Sequence, residues 1–276
     1  MNAFSFDRWR LLVGRHWAEN KKKYILSAIA ITSLLAFWFL FLLLVDQSYH
    51  IDNRMQHGTY FVCLFVFGGF YASQFFSDLG SQPKGINFLL TPASTLEKLA
   101  CSLFYAVLMF FVFFTCVFYI VDALMVTLAN ALERSRTNGN AGEPSEIINL
   151  FFAKKQNAAS VNINLYLMLT FFAVQSFFLL GSVYFSKYSF IKTAIALFLV
   201  FLALLFTEEY VMDSFLPNGY HAGRLTTFLT VKADGTGDKM AALPEWIGKV
   251  LNVVLSYAFP PLFWLATYYR LKEKEV

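Results

Sequence analysis

The residues able to act as acids, bases, nucleophiles or metal ligands are few and dispersed. The four histidines, His16, His50, His57 and His221, fall in different stretches of the chain, and Cys63, Cys101 and Cys116 lie in or beside apolar runs without CxxC or Cys/His spacing. Thiols so placed read as small buried hydrophobes, not as a disulfide framework or a zinc site. The stretch 207–246 contains Glu208, Glu209, Asp213, His221 and Arg224, with Trp246 further on. A carboxylate pair at a membrane boundary can carry a proton or a metal ion. The preceding apolar run has already ended at Thr207, so the same acids also read as solvated groups at an outer interface or as caps of short re-entrant helices. No nucleophile or further ligand accompanies them, which disfavours an intramembrane enzyme built on Glu208, Glu209 and His221. Nor does the chain contain a GxxxxGK[ST] loop, an HExxH pair or a GxSxG elbow. The sequence therefore points to no catalytic residue, no cofactor site and no metal site, and any ATP hydrolysis belongs to a partner.

A different kind of chemistry is legible between residues 77 and 98, SDLGSQPKGINFLLTPASTLEK. Gly80, Pro83 and Gly85 break the chain, a short apolar stretch runs over 86–90, and Pro92 stops what precedes it. Ser94 followed by Glu97 fits a capping box: the serine oxygen accepts the amide three residues on, and the glutamate returns to the amide of the serine. Such a loop either presents a short rigid element at the membrane face or is simply an ordered turn between two helices.

The elements that would position these residues follow from composition. Of 276 residues 58% are hydrophobic and only 14% charged, against about 45–50% and about 25% in an ordinary soluble domain. A water-soluble globule and a disordered chain are both excluded, which leaves an all-α integral membrane protein with no room for a separate soluble domain. Six spans are expected, at about 24–45, 58–76, 99–121, 163–185, 191–206 and 247–269, within one transmembrane domain covering 1–276. The first follows Lys21, Lys22 and Lys23 but is too long for a signal-peptide core and lacks a cleavage site, so it stays as an anchor. Gly68 and Gly69 offer the second span a flat patch for close packing. The run from Leu99 stays apolar to Leu132, longer than a bilayer needs, with Asp122 marking the far interface. Pro260 and Pro261 are expected to kink or unwind the sixth span. The thirty-three phenylalanines read mainly as membrane packing.

Six spans place both termini on one side. That side collects thirteen of the twenty-two Lys and Arg residues, and the other nine. The excess makes the termini cytoplasmic. Before the first span, Trp9, Leu12, Val13 and Trp17 share one helical face, which suits an interfacial helix over 1–23; the plainer alternative is a solvated basic flank. Two polar stretches face outward, 133–162 and 207–246. In the first, 147–152 has the composition to lie on the membrane surface. The spans hold few strongly polar groups, chiefly Gln74, Thr115, Gln175 and Ser176. That scarcity disfavours ion-coupled transport and favours a lipid-like or peptide-like substrate, or energy delivered from outside the membrane.

With these elements in place, Phe88, Leu89, Leu90, Thr91, Pro92, Ala93, Ser94, Glu97 and Lys98 resemble the leucine-proline-x-serine segment, followed by a lysine, of ABC-2 type transporter permeases, and in particular permease-like proteins of Bacteroidetes. The resemblance implies six spans, an interfacial helix before the first, and a coupling helix in the first cytoplasmic loop docking on a separate ABC ATPase. It also implies a homodimer or heterodimer of permeases in a bacterial cytoplasmic (inner) membrane, with short helices after span five capping the pathway. Lys84, Phe88, Pro92, Ser94, Glu97 and Lys98 then form the ATPase-coupling loop, with Glu97 and Lys98 as contact or capping residues. The polar segment 133–162 has no counterpart in a minimal permease. Membrane lipids are the other expected partners, and nucleic acid is not one. The alternative reading is a non-transporting scaffold or regulatory protein of an envelope complex.

Overall fold

The computed structural model describes residues 4–45, 51–80, 85–86, 88, 90–136, 144–150, 163–185, 187–215, 219–224, 227–230, 239–242 and 257–275. Lys84, the carboxyl-terminal part of the first outer stretch, Trp246 and the beginning of the expected sixth span lie outside them.

The uncharged run from Tyr24 is the second half of a longer helix, α1 (Phe6–Val45). At about 1.5 Å per residue its 40 residues extend roughly 60 Å, about twice a hydrocarbon core. The expected boundary at 23/24 is therefore absent, and Lys21, Lys22 and Lys23 are mid-helix. Between Arg15 and Val45 there is neither glycine nor proline to break the helix, and Ala, Leu, Glu and Lys all favour it. Next comes α2 (Asn53–Phe75), capped by Asp52, whose side chain accepts the Arg54 amide at 3.3 Å. A 3₁₀ turn (Ser77–Gly80) opens the following loop. The third long helix is continuous over 41 residues, Thr95–Ser135. It comprises α3 (Thr95–Ser102), a π-helical segment (Leu103–Met109) and α4 (Phe110–Arg136). Two further long helices are α5 (Ile163–Tyr184) and α6 (Ser189–Phe215).

These five are long and apolar enough to cross a membrane. In their most apolar stretches α1 has only 17% of its residues buried and α6 only 6%. Water would not tolerate such faces on a folded chain; lipid or another membrane helix does. The chain is a helical membrane protein.

Its core is aromatic. Leu35 and Phe39 of α1, Tyr60 and Leu64 of α2, Phe114 and Phe118 of α4 and Phe171 of α5 are all fully buried together. Tyr60 meets Phe118 edge-on at 5.0 Å and bonds its hydroxyl to that of Thr115 at 2.9 Å, so the one polar tip in this cluster is satisfied. The glycine patch packs α2 on α5: a Cβ on Gly68 would lie 2.5 Å from the Phe171 ring, and one on Gly69 3.0 Å from that of Phe178. Gly181 of α5 sits equally tightly on Thr193 of α6.

Residues 144–150, the described part of the outer stretch expected to lie on the surface, pack into the bundle. They form a strap in which Ile148 and Leu150 enter the core while Ile147 stays exposed. Buried Asp122 accepts the Ile148 amide at 3.0 Å. Asn130 exchanges two hydrogen bonds with the backbone of Ser145, at 2.9 and 3.1 Å. The backbone polar groups of a segment outside helix and strand need partners, and these side chains supply them.

After span five, most of 216–256, where short capping helices are expected, lies outside the described residues. Helix α6 carries Glu208, Glu209 and Asp213, and three short strands follow, β1 (Gly219–Arg224), β2 (Thr227–Thr230) and β3 (Lys239–Ala242), paired antiparallel in that order. His221 pairs with Phe228 in the register, and the Thr-Phe-Leu-Thr composition of β2 suits a strand. Lastly, α7 (Phe259–Glu275) begins just before the two prolines, after helical Tyr257 and a turn at Ala258, so the helical path is interrupted there and Pro260 and Pro261 occupy a first turn, where a missing N–H costs nothing.

Candidate functional site

The capping box read from the sequence is formed. The Glu97 amide donates to Ser94 Oγ at 3.3 Å and the Ser94 amide donates to Glu97 Oε2 at 2.8 Å. What the sequence did not disclose is the other oxygen. Glu97 Oε1 accepts the Ser5 amide at 2.7 Å and Arg8 Nε at 3.1 Å, and lies 2.9 Å from a second Arg8 nitrogen. One fully buried carboxylate thus joins the start of α3 to the start of α1, 89 residues apart along the chain. A carboxylate accepts several donors at once, and those here include a guanidinium, so these are the strong charge-assisted kind.

Around this knot the two helices are bound further. Arg15 Nη1 donates to Thr91 Oγ1 at 3.1 Å, and Tyr105 donates its hydroxyl to the Val13 carbonyl at 2.9 Å. Trp9 meets Phe104 edge-on at 5.8 Å, and His16 stacks on Phe75 at 4.9 Å. The packed face of α1 therefore runs through Arg8, Trp9, Leu12, Val13 and His16. Trp17, expected on it, is 47% exposed and stacks instead on Tyr24. Of the residues expected to form a coupling loop, Phe88 packs on Phe76 with the Lys98 ammonium 5.2 Å above its ring, and Pro92 is exposed. Glu97 and Lys98 are both buried, so they hold the loop together and do not form its outer contact surface. The exposed apolar residues of the loop are Ile86 and Leu90, from the short apolar stretch 86–90, and Leu96.

The π segment continues the same connection inward. Tyr105 ties it to α1, and buried Gln175 of α5 donates its side-chain amide to the Ala106 carbonyl. In the wider winding carbonyls accept from amides five residues on, and Gln175 adds a side-chain donor to one of them. In the sequence Gln175 is one of the few polar span residues, and helical periodicity gives no sign of the π winding it supports.

Between the amino-terminal half of α1 and α2 lies a cleft of about 820 Å³. Arg15, Glu19, Lys23, Thr91 and Lys98 surround its polar end, and Ile31, Leu34, Val66, Phe67 and Phe70 line its apolar end. Among the described residues no three His, Cys, Asp or Glu side chains gather in a metal-binding group. No family model, curated protein or solved structure matches the chain.

Proposed function

We propose that the protein is the membrane subunit of an ABC-2 type transporter. In this reading it has six spans with both termini cytoplasmic in a bacterial inner membrane, and works as a dimer with a separately encoded ATPase. The observation that carries it is the Glu97 knot. A transporter driven from outside the membrane needs a loop that takes up a push and passes it to a spanning helix. Here a capped helix start is tied by Arg8, Ser5 and Tyr105 to α1 and, through the π segment, to α5. Exposed Ile86, Leu90 and Leu96 beside it supply an apolar contact patch of the kind partners cover. The nearly unburied faces of α6 and α1 supply the surface for a second permease.

In this mechanism, closure of the ATPase displaces the loop, the ion-paired amino terminus follows it, and α1 tilts against α2 and α4. The energy enters as a difference in ATPase affinity between the two arrangements. Purification of the tagged protein in mild detergent, mass spectrometry of what accompanies it and an ATPase assay of the complex test the assignment. A co-purifying ABC ATPase with vanadate-sensitive turnover is expected, and L90D is expected to reduce its recovery without lowering permease yield. A stable preparation accompanied only by envelope proteins would favour the scaffold role instead.

A further inference from the structure

The cleft beside α1 has the dimensions and polarity of one leaflet of a membrane. From Lys23 at its polar end to Leu34 at its apolar end are eleven residues, about 16 Å along the helix and close to half of a roughly 30 Å hydrocarbon core. Helix α1 packs tightly below this stretch, where Leu35, Phe39 and Leu43 are buried, and above it, at the Glu97 knot. Between the two it touches its neighbours through Tyr24, 5.8 Å from the Tyr71 ring, and Ile31, while Lys23, Ala30 and Leu34 are exposed although all three line the cleft. A second, smaller apolar cavity of about 200 Å³ flanks the same stretch and shares Tyr24, Ile31 and Tyr71 with the first. The polar end carries three cations, Arg15, Lys23 and Lys98, against one carboxylate, Glu19. Lys98 is nearly fully buried there, which keeps its charge close to whatever fills the space.

We propose that this cleft binds a single anionic phospholipid, its phosphate against Lys23 and Lys98 and an acyl chain between α1 and α2 along Ile31, Val66 and Phe70. The cleft volume falls within the range of small-molecule sites, about 300–1,000 Å³, and charge complementarity selects an anionic over a zwitterionic head group. The proposal deepens the permease reading, from which it takes the assignment of this end of α1 to the cytoplasmic leaflet, and makes the substrate class a membrane lipid.

The test uses the chain alone, without any ATPase, in phosphatidylcholine vesicles carrying a trace of phosphatidylglycerol with a diazirine in its acyl chain. A parallel sample carries the same diazirine on phosphatidylcholine. Peptide mapping should place the phosphatidylglycerol label in 24–34 and 66–71, well above the phosphatidylcholine label. K23E should lower it by roughly fivefold or more, and A30W, which fills the space from an exposed position, should remove it. Labelling of 198–206 on α6 should stay unchanged in both variants and so report an intact fold. Equal labelling by the two probes, or cleft labelling indifferent to K23E and A30W, would overturn the proposal. A lipid held by a chain that recruits no ATPase would leave this binding site standing and remove the transporter reading.

Discussion

Glu97 is a fully buried acid whose oxygens both have donors, and its value is best measured against Arg8. E97Q preserves the shape and abolishes the charge, so the guanidinium loses its counter-ion while the capping geometry partly survives. A charge-assisted hydrogen bond is worth about 1.5–3 kcal/mol, and a loss of that order is expected for E97Q in detergent melting. Since R8A removes the same interaction, the double variant should fall short of the summed single losses by more than about 0.5 kcal/mol. Additivity within that limit would mean that the Arg8–Glu97 pair contributes nothing to joining the two helices. E97A should cost more than E97Q, since it also removes the acceptor for the Ser94 amide.

At the scale of elements, the three helix contacts made through glycine differ from Gly14 and Gly58, which touch nothing. A Cβ on Gly58 of α2 would meet no atom within 4 Å, whereas at Gly181 it would collide with the short, branched Thr193 side chain, which has no room to retreat. G181A should therefore destabilise by about 1–3 kcal/mol, and G58A should stabilise by roughly 0.5–1 kcal/mol, as alanine for glycine does inside a helix. Thermal melting of the two variants side by side checks the sign as well as the size. The glycine patch was legible because small residues in an apolar run have one common use. The capping box was legible because its chemistry is local, four residues deep. The strap over 144–150 was not, because its alternation of buried and exposed residues is too short to separate from a surface segment and its partners, Asp122 and Asn130, lie on a helix far back in the sequence. The joining of 6–23 to the first span was missed for the opposite reason: a change from amphipathic to wholly apolar composition looked like a boundary, but nothing in the backbone required one.

For the whole molecule, the faces left bare in a single chain set the expectations. Phe198 and Phe201 of α6 are 60% and 55% exposed. Cysteine at 198, in a background without Cys63, Cys101 and Cys116, should form an intermolecular cross-link in native membranes if this face meets a second copy. Failure to cross-link there and at exposed positions of α1 would remove the homodimer. Topology is a separate matter, settled by reporter fusions at each end. Both termini should report the cytoplasmic side, and opposite sides would mean an odd number of spans. The five long helices were readable as apolar runs because lipid demands nothing subtler than length and the absence of charge. The knot at Glu97 was only half readable, since the Ser94–Glu97 pairing is local and its link to Ser5 and Arg8 is made entirely by tertiary structure.

The π segment at Leu103–Met109 has a further consequence. Each residue of an α-helix advances the azimuth by about 100°, so wider winding acts as a phase offset between the two parts of the 41-residue helix that contains it. With that offset, α1 reaches Glu97 through Arg8 and Phe118 through Phe39 at the same time. Rewinding Leu103–Met109 as α with every residue kept would turn one part against the other by about that angle, and either the ion pair or the aromatic contact would then face away from α1. Removing one residue from the segment as it rewinds would restore the phase, so the wide winding absorbs one residue that a regular helix could not carry without misaligning a contact ten residues distant.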